Sequence, residues 1–421
     1  MSSILTRWQL YLFYLIVFLT PANLAKHFIL PASYVSGQLV DYLIPSLYLT
    51  DILIIILLSA WLLEILQGRP KQLVLIKPKF LPQPWLIFLI CLLPSVFFAS
   101  SPLPAVYKFL KLLELSLFCF WFKSHLDLTK HRLPIINLLT ASVLFQSALA
   151  LAQWFKQASV FGYWFLGEQP FKTSTFGIDK IVWFDGSLKI PPLGTFPHPN
   201  VLAGFLVISL LFILQGLSLK VFWKTLAIVF GITALFLTFS LSAWLAFLLI
   251  GLPLTINSII KINRTKFLLI YTGALLILFS LSLNFSFLAP ESSFTRRSLL
   301  AQMAVTMLKV NPLTGVGLNN FTVTMDSFGY IPATTRFLQP VHNIFLLVLA
   351  ETGLIGFLGF IWLLITPYLK YFKTYPNQSS SSTLFLLCLS SLLFLGLFDH
   401  YPLTLQPGLL LLFLFLGLLS S

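Results

Sequence analysis

A chain of 421 residues that is 58% hydrophobic and 9% charged, with a mean hydropathy of +0.94, cannot cover a water-facing surface, because soluble domains carry roughly 25% charged residues. Lipid is itself an apolar solvent, so the composition predicts an all-α polytopic integral membrane helical bundle, one domain over residues 1–421. The net charge of +14 would point to nucleic acid in a soluble protein, but basic residues beside membrane spans account for it here, and no nucleic-acid partner is expected.

A span needs about 20 apolar residues. Candidate spans cover 8–25, 45–66, 84–101, 104–122, 134–155, 199–218, 222–239, 242–260, 266–288, 343–366, 383–399 and 403–420, about 12 transmembrane helices in all. The first run follows Arg7 and has no small-x-small cleavage site after it, so it reads as a retained span. Cys91, Cys119 and Cys388 each lie inside an apolar run, which is neither a disulfide framework nor a metal-ligand spacing.

With the N-terminus placed inside, the segments that become cytoplasmic hold 15 Lys and Arg and the external ones hold 9. By the positive-inside rule both termini are cytoplasmic, and the two long polar loops, 156–198 and 289–342, are external. ATP is absent there, so chemistry on that face needs an activated substrate. Gly315-Val316-Gly317 lacks the strand and third glycine of a dinucleotide site and reads as a turn.

The 156–198 loop carries Phe161, Tyr163, Trp164, Phe165, Trp183 and Phe184 among charges. These rings suit either a lipid interface or stacking on sugars. The loop ends in GTFPHPN, where Asn200 is a candidate helix N-cap. His198 precedes a proline and has an extended, structural setting, with substrate contact as the alternative.

Residues 294–309 have helical periodicity, with Leu299, Leu300, Met303, Ala304 and Met307 as the apolar stripe. The expectation is an amphipathic helix in the large external loop, lying along the membrane face. Arg296 and Arg297 fall in its first turn, where the helix dipole disfavours cations unless an anion arrives. Their planar donors suit phosphate oxygens, and lipid headgroups are the other reading. His342 and Asn343 open the next span. Either can cap it, the positive helix end favours a neutral imidazole able to accept a proton, and the same end could hold a phosphate. Glu351 lies within that span, where a carboxylate normally has a partner. Asp179, Asp185 and Asp326 read as solvated charges, and no metal or other cofactor is expected.

PLTGVGLNNF, followed by HNIFLLVLAETGLIGF, resembles the O-antigen ligase and O-antigen polymerase superfamily. GTFPHPNVLAGFL and FDHYPLT fit as well, so the resemblance covers 195–405. It implies a bacterial inner-membrane glycosyltransferase of lipopolysaccharide or polysaccharide synthesis. Such an enzyme moves glycan from an undecaprenyl diphosphate donor to a glycan, lipid or protein acceptor hydroxyl on the outer face. On that resemblance His342 matches the base and Arg297 a family arginine, both catalytic. Arg296, Asn343, Glu351, His198 and Asn200 join them as substrate-binding candidates. One departure stands out: where relatives have Thr-x-Ser-Arg, this chain has Thr238-Phe239-Ser240-Leu241. Arg296, Arg336 and Lys309 are candidates to supply the missing charge. A transporter or scaffold for lipid-linked glycans, or an inactive binder of the carrier, are the alternatives.

Overall fold

The computed structural model describes residues 2–67, 83–215, 221–251, 291–328, 338–374 and 381–420. The expected span at 266–288, part of that at 242–260, and Arg336 lie outside them. The described chain is mostly helical. Leu49–Leu66, Lys130–Lys156 and Ile344–Tyr371 are long and apolar enough to cross a membrane, and five shorter apolar helices accompany them.

Helices α1 (Ser2–Phe18), α2 (Leu49–Leu66), α3 (Pro84–Phe97), α4 (Pro102–His125) and α5 (Leu128–Lys156) form the first half. Helices α6 (Pro199–Gln215), α7 (Val221–Leu237) and α8 (Leu241–Ala246) follow. Phe239 takes a left-handed backbone conformation, φ 54°, so α7 and α8 are separate helices joined by a tight turn. A π-helical turn, Phe247–Gly251, continues α8. Next come α9 (Glu291–Val310), α10 (Phe321–Phe328), α11 (Ile344–Thr374), α12 (Ser381–Gly396), the single turn α13 (Tyr401–Thr404) and α14 (Gln406–Ser420). Helices α6 and α14 are buried nearly all round and form the centre of the bundle, as expected of helices that are apolar on every face.

The all-α expectation needs one addition. Among the described residues, three two-stranded antiparallel ladders lie in the loops: Ala25–His27 with Ser46–Tyr48, Tyr34–Val35 with Gln38–Leu39, and Ile181–Val182 with Leu188–Lys189.

The amphipathic helix forms as the periodicity predicts, but its stripe does not face a membrane plane. Leu300, Met303, Ala304 and Met307 are buried in a cluster with Val35, Val40 and Leu43 of the 19–48 loop and with Phe321 and Met325 of α10. The apolar face of α9 is thus covered by protein, and Ser36 of that loop donates to Asp326 at 2.8 Å.

Helix α11 is broken at Gly353 (φ 60°, ψ −165°), a left-handed conformation that glycine adopts at least cost. The break frees backbone groups, and the PLTGVG segment takes them. Val316 N–H donates to Ala350 O and Gly317 N–H to Glu351 O, both at 3.0 Å, while Leu354 N–H donates to Pro312 O at 2.8 Å. The approach is close: a Cβ on Gly353 would lie 2.3 Å from the Leu313 backbone, and one on Gly315 would lie 2.4 Å from that of Glu351. The glycines of PLTGVG and ETG therefore serve backbone-to-backbone docking, and Gly315-Val316-Gly317 is the turn its sequence indicates.

Candidate functional site

Five separated segments converge on a cavity of about 490 Å³, one of them the α7–α8 turn with Thr238 and Phe239. Tyr42 comes from the 19–48 loop, Asp179, Lys180 and His198 from the 156–198 loop, Arg296, Arg297 and His342 from 289–342, and Asp399, His400 and Tyr401 from the turn after α12.

Each functional side chain is held by local structure. Arg297, in the first turns of α9, donates from Nη1 to the Phe398 carbonyl at 3.2 Å, which ties α9 to the Asp399 turn. Asn343 is the N-cap of α11: its Oδ1 accepts from the N–H groups of Phe345 (2.9 Å) and Leu346 (3.0 Å), as an N-cap should. This corrects the expectation of a phosphate at that helix end, because the cap already occupies the donors a phosphate would use. Asn343 also donates to Leu397 O at 3.2 Å, so the loop carrying His342 and the loop carrying Asp399 are fastened together.

His342 Nδ1 is buried with no hydrogen-bond partner among the described residues. Its ring meets that of His400 edge-on, centroids 5.0 Å apart. Burial holds His342 down to about 4; Asp399 pulls the other way and Arg297 adds to the depression. The imidazole is therefore neutral at pH 7, as the helix-start argument expects, though burial is the main cause. His400 is likewise held down to about 3, by burial first. The Thr404 hydroxyl donates to the His400 carbonyl at 3.1 Å, so the 2.7 Å contact between Thr404 Oγ1 and His400 Nδ1 has the imidazole N–H as donor.

Asp399 is the anionic centre. Burial opposes its ionisation, but His400, His342, His198 and Arg297 together pull it down to about 2. Its Oδ1 accepts the His400 N–H at 2.8 Å and its Oδ2 accepts from Asn200 Nδ2 at 3.1 Å. Asn200 is thus not the cap of α6. That role falls to His198, whose Nδ1 accepts the Asn200 N–H at 3.1 Å. Nor is Asp179 a lone solvated charge: His198 Nε2 lies 2.9 Å from its carboxylate.

Two candidates lie elsewhere. Glu351 accepts from the N–H groups of Asn319 (3.0 Å) and Phe321 (3.2 Å), so it caps α10. It borders a separate cavity of about 40 Å³ together with Lys108 and Thr404. Lys309 lies in the last turn of α9, 12 residues and about 18 Å of helix from Arg297, and Arg336 is outside the described residues. Leu241 is half-exposed at the start of α8 and does not line the large cavity, although Thr238 and Phe239 just before it do. The cations at the cavity are Arg296, Arg297 and Lys180 among the described residues.

Asp399, His400, Tyr42 and Lys180 were not singled out by the sequence. For the first two a signal existed: FDHYPLT places an acid and a histidine together between two apolar runs. Tyr42 and Lys180 had none, since only packing brings their loops to the cavity.

A helical membrane protein whose loops enclose an arginine-lined polar cavity with an unprotonated buried histidine is the class defined by this arrangement. Residues 226–361, about a third of the chain, match the family model described as O-antigen ligase. The match contains Arg297 and His342 and stops before Asp399. No curated protein matches the chain.

Proposed function

We propose that this protein transfers glycan from an undecaprenyl diphosphate donor to an acceptor hydroxyl at the outer face of the bacterial inner membrane. The reading rests on one observation above all: Arg297 of α9, His342 just before α11 and Asp399 of the turn after α12 border one cavity. The topology that goes with it has about 12 spans, cytoplasmic termini and external loops at 156–198 and 289–342. Its support is the 15-to-9 bias of Lys and Arg.

In this reading the diphosphate lies against Arg297 and Arg296, whose donors suit its oxygens. The acceptor oxygen attacks the anomeric carbon, and a new C–O bond forms as the bond to the diphosphate oxygen breaks. The electron pair leaves on the diphosphate, where arginine stabilises the developing charge. The hydroxyl proton passes to His342. A histidine held near 4 is a weak base in the empty cavity, but a bound diphosphate raises its proton affinity, because a nearby anion favours the imidazolium. Arrival of the donor thus switches on the base that acts on it. Asp399 then supports the imidazolium, and Asn200 and the Arg297–Phe398 contact hold that turn in place.

The test is reconstitution of the purified chain in proteoliposomes with an undecaprenyl diphosphate-linked glycan. Release of free undecaprenyl diphosphate that depends on an added acceptor supports transfer. Binding of the donor without release in the presence of acceptors of all three kinds, glycan, lipid and protein, leaves a carrier-binding protein instead.

A further inference from the structure

Asp179 is out of place in a cavity meant only for a diphosphate, since a carboxylate there repels the anion that Arg296 and Arg297 attract. Its position is nevertheless built. His198 Nδ1 accepts the Asn200 N–H at 3.1 Å, so the ring proton sits on Nε2 and is donated to Asp179 at 2.9 Å. Both nitrogens of His198 are committed, which leaves this histidine unable to take a proton from a substrate. Its function is to aim a carboxylate, and it is itself fixed as the cap of α6.

The hydrogen bond from His198 and the charge of Arg296 hold the Asp179 carboxyl below its ordinary range. It is therefore an acceptor-only group and a poor proton carrier. That single hydrogen bond is the only one it makes among the described residues, and with 69% of the side chain exposed its remaining lone pairs can meet a ligand. The part of a lipid-linked glycan that brings O–H donors is the sugar. A hydroxyl donating to a carboxylate makes a short, charge-assisted bond, so the carboxylate selects for a correctly placed hydroxyl and against the phosphates.

From this juxtaposition we propose that Asp179, aimed by His198, is a sugar-hydroxyl acceptor at the cavity and helps determine which glycan the protein accepts. This rests on the glycan-transfer reading of the cavity. The neighbouring Lys180, from the same loop, also borders the cavity and places a cation beside the acceptor.

The experiment measures binding of four probes to the full chain in lipid nanodiscs. They are undecaprenyl diphosphate alone and the same carrier bearing one N-acetylglucosamine, one galactose or one rhamnose. Wild type is expected to favour at least one glycosylated probe over the bare carrier by about 10-fold or more, the scale of one hydrogen bond to a charged group. In Asp179→Ala and Asp179→Asn that preference falls to within about 2-fold, while the bare carrier binds as well as before or more tightly, one negative charge having gone. His198→Ala, which frees the carboxylate to rotate, erodes the preference in the same direction. Three results overturn the proposal: a preference that survives in both Asp179 variants, a wild type that prefers none of the three sugars, or an equal weakening of all four probes. Arg297→Ala is measured alongside. If it leaves bare-carrier binding intact, the diphosphate reading of the cavity fails, whatever Asp179 does.

Discussion

Asn200 donates its side-chain amide to the Asp399 carboxylate at 3.1 Å, across 199 positions of sequence. The bond joins the first turn of the central helix α6 to the turn that faces His342, so the geometry at the cavity depends on a residue that does not itself carry charge. Asn200→Ala should insert normally yet lower transfer, because it leaves a carboxylate oxygen short of a donor, a loss of about 1–3 kcal/mol. Asn200→Asp should be worse, since two carboxylates would then face each other. Equal and near-native turnover in both variants would show that Asp399 keeps its position without Asn200.

Arg297 and Arg296 both border the cavity, and Arg297 is anchored on the Phe398 carbonyl. Arg297→Lys should reduce transfer strongly, because an ammonium cannot reproduce a planar fork of donors. Arg296→Lys should be milder. Steady-state turnover with donor varied separates the two, and small, equal effects would mean that neither contacts the diphosphate.

Gly353 breaks α11 where PLTGVG docks. Gly353→Ala imposes φ 60° on a residue with a Cβ and drives that Cβ to 2.3 Å from the Leu313 backbone. Strained backbone of this kind costs about 1–3 kcal/mol before any clash is counted. Lower thermal stability in detergent, with the 311–320 segment gaining protease sensitivity, is the expected outcome. Unchanged stability would mean that the docked arrangement contributes little.

The acid limb of kcat/KM reports ionisation of the free enzyme. Since His342 is held down to about 4, it stays neutral above that value and activity should fall as pH drops through about 4. Asp399 raises the proton affinity of His342, so its removal acts the other way, and the residual activity of Asp399→Asn should keep its acid limb at still lower pH. A wild-type limb near 6.5 would mean that His342 is solvated or is not the base.

The membrane character, the amphipathic helix and the pairing of Arg297 with His342 were legible in the sequence, because each leaves a local mark: composition, a 3.6-residue period, a motif. The break at Gly353 left none, since ETG lies inside an apolar run that reads as one continuous helix. Its cause is distant, the backbone of Leu313 and Thr314 arriving to pair with it. Glu351 shows the same limit. The sequence says a buried carboxylate must have a partner, and the partners prove to be two backbone N–H groups of the 319–321 turn, which no side-chain pattern announces. Nor could the sequence say what covers the stripe of α9, because Val35, Val40 and Leu43 lie more than 250 residues away. Asp179 and His198 read separately as a solvated charge and a structural histidine, and only the fold makes them a pair.

Sidedness has its own check. A single cysteine at Phe176, in the 156–198 loop and fully exposed, should label with an impermeant thiol reagent in intact spheroplasts of a variant lacking Cys91, Cys119 and Cys388. Labelling only after lysis would reverse the topology and remove the externally activated donor from reach.

The central claim is that His342 takes the acceptor proton, and a single-turnover comparison of His342→Ala with wild type in proteoliposomes tests it most directly. With donor pre-bound and acceptor added, glycan transfer should slow by roughly 10²–10⁴-fold, the scale of a lost general base, while insertion and donor binding stay intact. Near-native transfer by a well-inserted His342→Ala protein would contradict the account and leave His342 as a packing residue beside His400.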